Sequence, residues 1–126
     1  MNPRTFSTVL GVAFLLAGIS GFFASPPPPD APALTMEHGH GLALGLFPVN
    51  TLHNVVHLLF GVLGLVAGGR GYLKLVAVAY ALLVILGLLP ATQTTFGLIP
   101  IYGNDVWLHG AIAVLAGIVG FGGSKA

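Results

Sequence analysis

Five histidines carry most of the chemistry open to this 126-residue chain. His53 and His57 stand four residues apart, and His109 follows Asp105 at the same interval. Residues four apart share one face of a helix, so each pair offers two polar groups to the same side. Asn50, Asn54 and Asn104 add hydrogen-bonding capacity nearby. Three imidazoles with one carboxylate make a donor set for Zn²⁺ or a related divalent ion. His57 and His109 could alternatively serve as axial ligands of haem or another tetrapyrrole. The same groups could instead hydrogen-bond between helices and fix their register, at about 0.6–2 kcal/mol per bond, or pass protons. A weaker cluster, Met36-Glu37-His38-Gly39-His40, pairs methionine with a His-x-His grip suited to copper. His38 and His40 also read simply as solvated loop residues, and Glu37 or His38 could fold over the helix ends to complete the main site.

Catalytic signatures are missing from the sequence. There is no phosphate-binding glycine loop, nucleophile elbow or His-Glu-x-x-His motif. His53-Asn-x-x-His57 has the last spacing, but Asn54 stands where a general base would be. Without cysteine, disulfides and thiolate catalysis are excluded. An enzyme is therefore not the expectation.

The elements that must hold these groups follow from composition. Only 6% of residues are charged and 56% are hydrophobic, with 19 glycines, whereas soluble domains carry about 25% charged residues. Such a chain is expected to be all-α and membrane-embedded, because backbone groups in lipid must be satisfied within each segment. A net charge of +1 leaves no electrostatic footprint for nucleic acid. Four spans are expected at about 6–24, 51–69, 72–89 and 105–122, each reaching ~27–29 Å at ~1.5 Å per residue. With four spans, Arg4, Arg70, Lys74 and Lys125 share one side while Asp30, Glu37 and Asp105 lie toward the other. The positive-inside rule then places both termini in the cytoplasm. The start of the chain also resembles a signal peptide, but its apolar stretch continues to Phe23, so an uncleaved first span is expected.

Between the first two spans, residues 25–50 open with the spacer Pro26–Pro29, for which polyproline II is expected. They close with apolar Gly41–Val49, read as a re-entrant or interfacial segment. A shift of 52 positions brings Gly45-Leu-Phe-Pro-Val49 onto Gly97-Leu-Ile-Pro-Ile101, with seven identities over Gly45–Gly68. It pairs His53 with Asp105 and His57 with His109. A second shift pairs Gly11–Phe14 with Ala77–Tyr80 and Gly21 with Gly87. Two repeated helical hairpins, related by an axis along the membrane normal, would explain both shifts. Small residues at four-residue spacing, such as Gly64 with Gly68 and Ala116 with Gly120, suit close helix packing.

The stretches Leu46–Leu65, Phe96-Gly-Leu-Ile-Pro100 and Asp105-Val-Trp-Leu-His109 resemble a family of small bacterial four-helix membrane proteins catalogued as a domain of unknown function. The likeness covers most of residues 42–122, and His53, Asn54, His57, Asp105 and His109 match its polar positions. It implies the fold and a bacterial source and assigns no activity. The combined expectation is a four-helix accessory or structural subunit of a larger, photosynthetic or respiratory, bacterial membrane complex. Its partners would be the lipid bilayer and other membrane subunits or further copies of itself. The alternative is a cofactor protein using His53, His57, Asp105 and His109.

Overall fold

The computed structural model describes residues 2–122; Lys125, one of the four basic residues, lies outside them. Four helices form an all-α bundle: α1 (Pro3–Gly21), α2 (Thr51–Val66), α3 (Arg70–Leu88) and α4 (Asn104–Phe121). α1, α3 and α4 are each long and apolar enough to cross a membrane, which makes this a membrane protein. α2 has 16 residues and would reach ~24 Å.

Local chemistry sets the helix ends. α1 starts three residues earlier than expected because the Asn2 side chain accepts from the backbone N–H groups of Arg4 and Thr5, with Pro3 in the first turn. It stops at Gly21, where the Phe22 and Phe23 amides turn back onto Ile19 and Ser20. α2 was expected to continue to Gly69. It ends at Val66 because Gly69 takes a φ of 138° to turn directly into α3. Ser7 fastens that turn, accepting from Gly69 N at 2.8 Å.

The apolar segment before α2, expected to be re-entrant or interfacial, is built as a β-hairpin. Gly41–Ala43 (β1) and Phe47–Val49 (β2) pair antiparallel, with Gly41 opposite Val49 and Ala43 opposite Phe47. The ladder satisfies the backbone, buries Ala43 and Val49, and leaves Leu44 and Leu46 exposed at the tip. The Pro26–Pro29 run carries neither helix nor strand.

The repeat is visible in three dimensions. Shifted by 66 positions, the buried Ser7, Leu10, Gly11, Phe14 and Gly21 of α1 fall on Leu73, Val76, Ala77, Tyr80 and Gly87 of α3, which are also buried. Shifted by 52, His53, His57 and Gly64 fall on the buried Asp105, His109 and Ala116. Pro48 and Pro100 are both fully buried. Leu44-Gly45 and Phe96-Gly97, also 52 apart, all have positive φ. Even neighbours correspond: Gly68 abuts Ser7 and Gly120 abuts Leu73. The core lies where the hairpins meet, with Phe14 of α1 and Tyr80 of α3 at 5.4 Å between ring centroids.

The first hairpin crosses closely at its glycines. A methyl group on Gly11 would lie 2.8 Å from the Gly61 carbonyl oxygen and 3.3 Å from the Gly64 backbone. Backbone cannot rotate away, so α1 and α2 must part. Gly11→Ala is expected to cost about 2–3 kcal/mol. Gly117→Ala should cost nothing, since its methyl would meet only Ala77 at 3.8 Å and gains up to about 1 kcal/mol of helix propensity. Reversible unfolding in mixed micelles measures both. Equal effects would contradict the close crossing.

Candidate functional site

α2 and α4 both begin at the end that carries the β-hairpin, and each presents its polar pair inward. His53, His57, Asp105 and His109 are 3%, 7%, 1% and 1% exposed. Potential ligand atoms of His53, His57 and His109 all lie within 4.8 Å of one another. Asp105 reaches the group through one member: its Oδ2 is 3.7 Å from His53 Nε2. All four expected residues therefore converge, but the compact donor group consists of three imidazoles with the carboxylate beside it. Aromatic faces wall the group, Phe14 stacking on His57 at 5.9 Å and Tyr80 standing edge-on to His109 at 4.9 Å.

The hydrogen bonding here is incomplete. His53 Nδ1, His57 Nδ1, both ring nitrogens of His109, Asp105 Oδ2 and Asn54 Oδ1 are buried without a hydrogen-bond partner. Each such group costs on the order of 1–3 kcal/mol.

Asn50 contrasts with its neighbours. Fully buried, it accepts from His53 N at 2.8 Å and so caps α2. It also donates to the Met36 and Leu98 carbonyls at 2.7 and 2.8 Å. It clamps the first connector, the second connector and the site helix together. Asn104 answers it from the other half by donating to Leu46 O at 2.9 Å. Leu46 and Leu98 are the paired leucines of the repeat, so each hairpin holds the loop of the other.

His38 and His40 stand apart from the cluster. His38 Nδ1 pairs with Thr51 Oγ1 at 3.0 Å, and His40 Nε2 pairs with Tyr102 OH at 3.3 Å. Partial burial holds the His40 imidazole below its ordinary pKa, against an opposing pull from Glu37. These two histidines border a hollow of about 450 Å³ that reaches down to Asn54.

The sequence profile of one family matches residues 4–122, almost the whole described chain. The chain belongs to DUF4383, a domain of unknown function. The match extends beyond the 42–122 likeness, taking in α1 and the Pro-rich connector. No curated protein and no solved structure matches this DUF4383 chain. In it, sequence reasoning missed the clamp by Asn50 and the walls provided by Phe14 and Tyr80. The pairing of Phe14 with Tyr80 in the repeat was the available signal for those walls, since both carry a ring at the same depth of equivalent helices.

Proposed function

We propose that this membrane protein holds one divalent transition-metal ion on His53, His57 and His109, with Asp105 orienting His53 or closing a fourth position. The observation that carries the proposal is the set of buried, partnerless donor atoms on these four residues. Groups that merely tied helices together would bond to one another. Here the imidazoles converge without doing so, and one cation would satisfy several donors at once. Zinc held at ~2.0–2.1 Å by each nitrogen needs donors ~3.4 Å apart, so the widest separation of 4.8 Å closes with side-chain movements of about an ångström. A carboxylate behind a ligating histidine is the usual outer-shell arrangement.

A tetrapyrrole suits the geometry less well. The two spaces touching the histidines are each about 270 Å³, below the ~300 Å³ at which drug-sized pockets begin. The ion's role on this reading is structural, in a non-catalytic subunit that works beside other membrane subunits or copies of itself. The support is that the described residues are four helices and their connectors, without a separate domain outside the bundle. Arg4 and Arg70, equivalent in the repeat, donate to Gly68 O at 3.0 Å and Gly122 O at 2.6 Å at the same end. That end faces the cytoplasm of a bacterial inner or photosynthetic membrane on the positive-inside rule, so the ion lies toward the opposite face.

Metal analysis of protein purified without chelator from native membranes tests the proposal. About one equivalent of a transition metal per chain is expected, and its removal should lower the unfolding temperature reversibly. A metal-free preparation that neither takes up zinc nor gains stability from it would end the proposal.

A further inference from the structure

Both connectors fold down against the flanks of the bundle. The β-hairpin enters between α1 and α4, where Leu44 shares a cleft with Leu16, Ala17 and Leu108. The second connector, residues 89–103, enters between α2 and α3, where Thr95 and Ile99 share a cleft with Leu82 and Leu83. Leu16 and Leu83 each stand five residues before the end of their helix, or ~7–8 Å along its axis. At its tip each connector carries the same pair, a large apolar residue and a glycine: Leu44-Gly45 and Phe96-Gly97, all with positive φ. Such positions favour Gly, Asn or Asp, because a bulky side chain is strained there. Leu44 is nevertheless 75% exposed and Phe96 78% exposed. Contacts within the chain therefore do not offset the strain.

We infer that the two tips are a matched pair of lipid anchors. Leu44 and Phe96 lie at the boundary between headgroups and acyl chains, in the leaflet at the site end of the bundle. Their exposed surface continues that of the flanking helices, on which Leu16 and Leu82 are also exposed. Exposed Trp107 packs on Phe47 beside the first tip, with ring centroids 5.6 Å apart, and tryptophan gathers at membrane interfaces. Irregular backbone near lipid must satisfy its own polar groups, and both turns do so. Gly45 and Leu46 N–H donate to the Leu42 and Ala43 carbonyls, and Gly97 and Ile99 N–H to Thr94 O. The Thr92 and Thr95 hydroxyls donate to Leu86 O and Ile99 O at 2.7 and 2.9 Å. Neither 41–49 nor 89–103 contains a charged residue. A protein partner would also suit apolar tips, but one tip lies between α1 and α4 and the other between α2 and α3. One partner cannot cover both flanks, whereas lipid surrounds the bundle. The inference is independent of the metal proposal.

The test uses the full chain in vesicles of phosphatidylethanolamine and phosphatidylglycerol. The native chain has no cysteine, so Leu44→Cys and Phe96→Cys each accept one nitroxide label. Leu16→Cys supplies a lipid-facing reference, and Glu37→Cys, on the exposed part of the first connector, supplies one in water. Collision with oxygen, which concentrates in lipid, is compared with collision with a water-soluble nickel chelate. Both tip labels should show an oxygen-to-nickel ratio several-fold above that of Glu37→Cys and closer to that of Leu16→Cys. A ratio matching Glu37→Cys at either tip would overturn the inference, as would shielding from both reagents, which signals a protein partner. Carbene labelling of the unaltered chain by a diazirine dissolved in the bilayer keeps the test decisive if a variant does not fold. Labels should then fall on Leu44 and Phe96 and spare Glu37; unlabelled tips would end the inference. Chains stripped of metal and chains loaded with zinc should behave alike, so failure of the metal site and failure of the anchors are read separately.

Discussion

Replacing His109 with alanine should weaken zinc binding by a hundred- to a thousandfold, while Asp105→Asn weakens it by only ten- to a hundredfold. Structural zinc sites are worth about 10–16 kcal/mol over four ligands, or ~2.5–4 kcal/mol per ligand. That corresponds to two to three orders of magnitude in affinity for each imidazole removed. His53 and His57 belong to the same group and should respond like His109. Outer-shell partners of ligating histidines are typically worth ten- to a hundredfold, and Asp105 approaches only His53. If Asp105→Asn proves as damaging as His109→Ala, the carboxylate is a direct ligand. His38→Ala and His40→Ala should leave affinity unchanged, because their rings pair with Thr51 and Tyr102 outside the cluster. Competition with a chromogenic chelator reads all six variants, and circular dichroism verifies their helix content. The metal-free proteins should differ little in stability. His109→Ala creates a cavity beside Tyr80, but it also removes two buried nitrogens that have no partner, and these effects oppose one another. A His109→Ala variant that binds zinc as tightly as the native chain would remove the imidazole cluster from consideration as a metal site.

The four helices were legible because uncharged apolar stretches in a chain with 6% charge admit few other structures in lipid. The polar constellation was legible for a related reason: ionisable groups are costly in a span, so His53, His57, Asp105 and His109 had to face inward. Spacing could not distinguish a fourth ligand from a neighbour, because the placement of Asp105 beside His53 alone depends on how α2 and α4 pack. The hairpin at 41–49 was hidden by its composition. An apolar run of nine residues has no clear period, and its turn depends on positive φ at Leu44 and Gly45, which apolarity does not encode. The repeat in the sequence proved more informative than its sparse identities suggested. It predicted which residues share burial.

Asn50 was the least legible of the important residues, and its substitution by aspartate is expected to have the largest effect on stability. Aspartate keeps the oxygen that accepts from His53 N, so the helix cap alone would survive the change. The loss falls on the other side of the amide. Two N–H donors that bond Met36 O and Leu98 O at 2.7 and 2.8 Å would be replaced by a carboxylate oxygen facing two carbonyl oxygens. Each abandoned carbonyl costs about 1–3 kcal/mol, and a buried unpaired charge adds several more unless it is neutralised. Asn50→Asp should therefore cost on the order of 4 kcal/mol or more. Asn50→Ala, which also loses the cap but brings no charge, should cost about 2–4 kcal/mol. Asn104→Ala provides the comparison. Asn104 makes the reciprocal bond to Leu46 O but is exposed, so water can replace the amide and the cost should stay below about 1 kcal/mol. Unfolding in mixed micelles ranks the three. Because Asn50 Oδ1 also fixes the first turn of α2 through His53 N, Asn50→Ala should reduce zinc affinity although Asn50 is not among the proposed ligands. If Asn50→Asp unfolds as the native chain does, the two connectors are held by something other than this amide, and the site helix owes its position to packing alone.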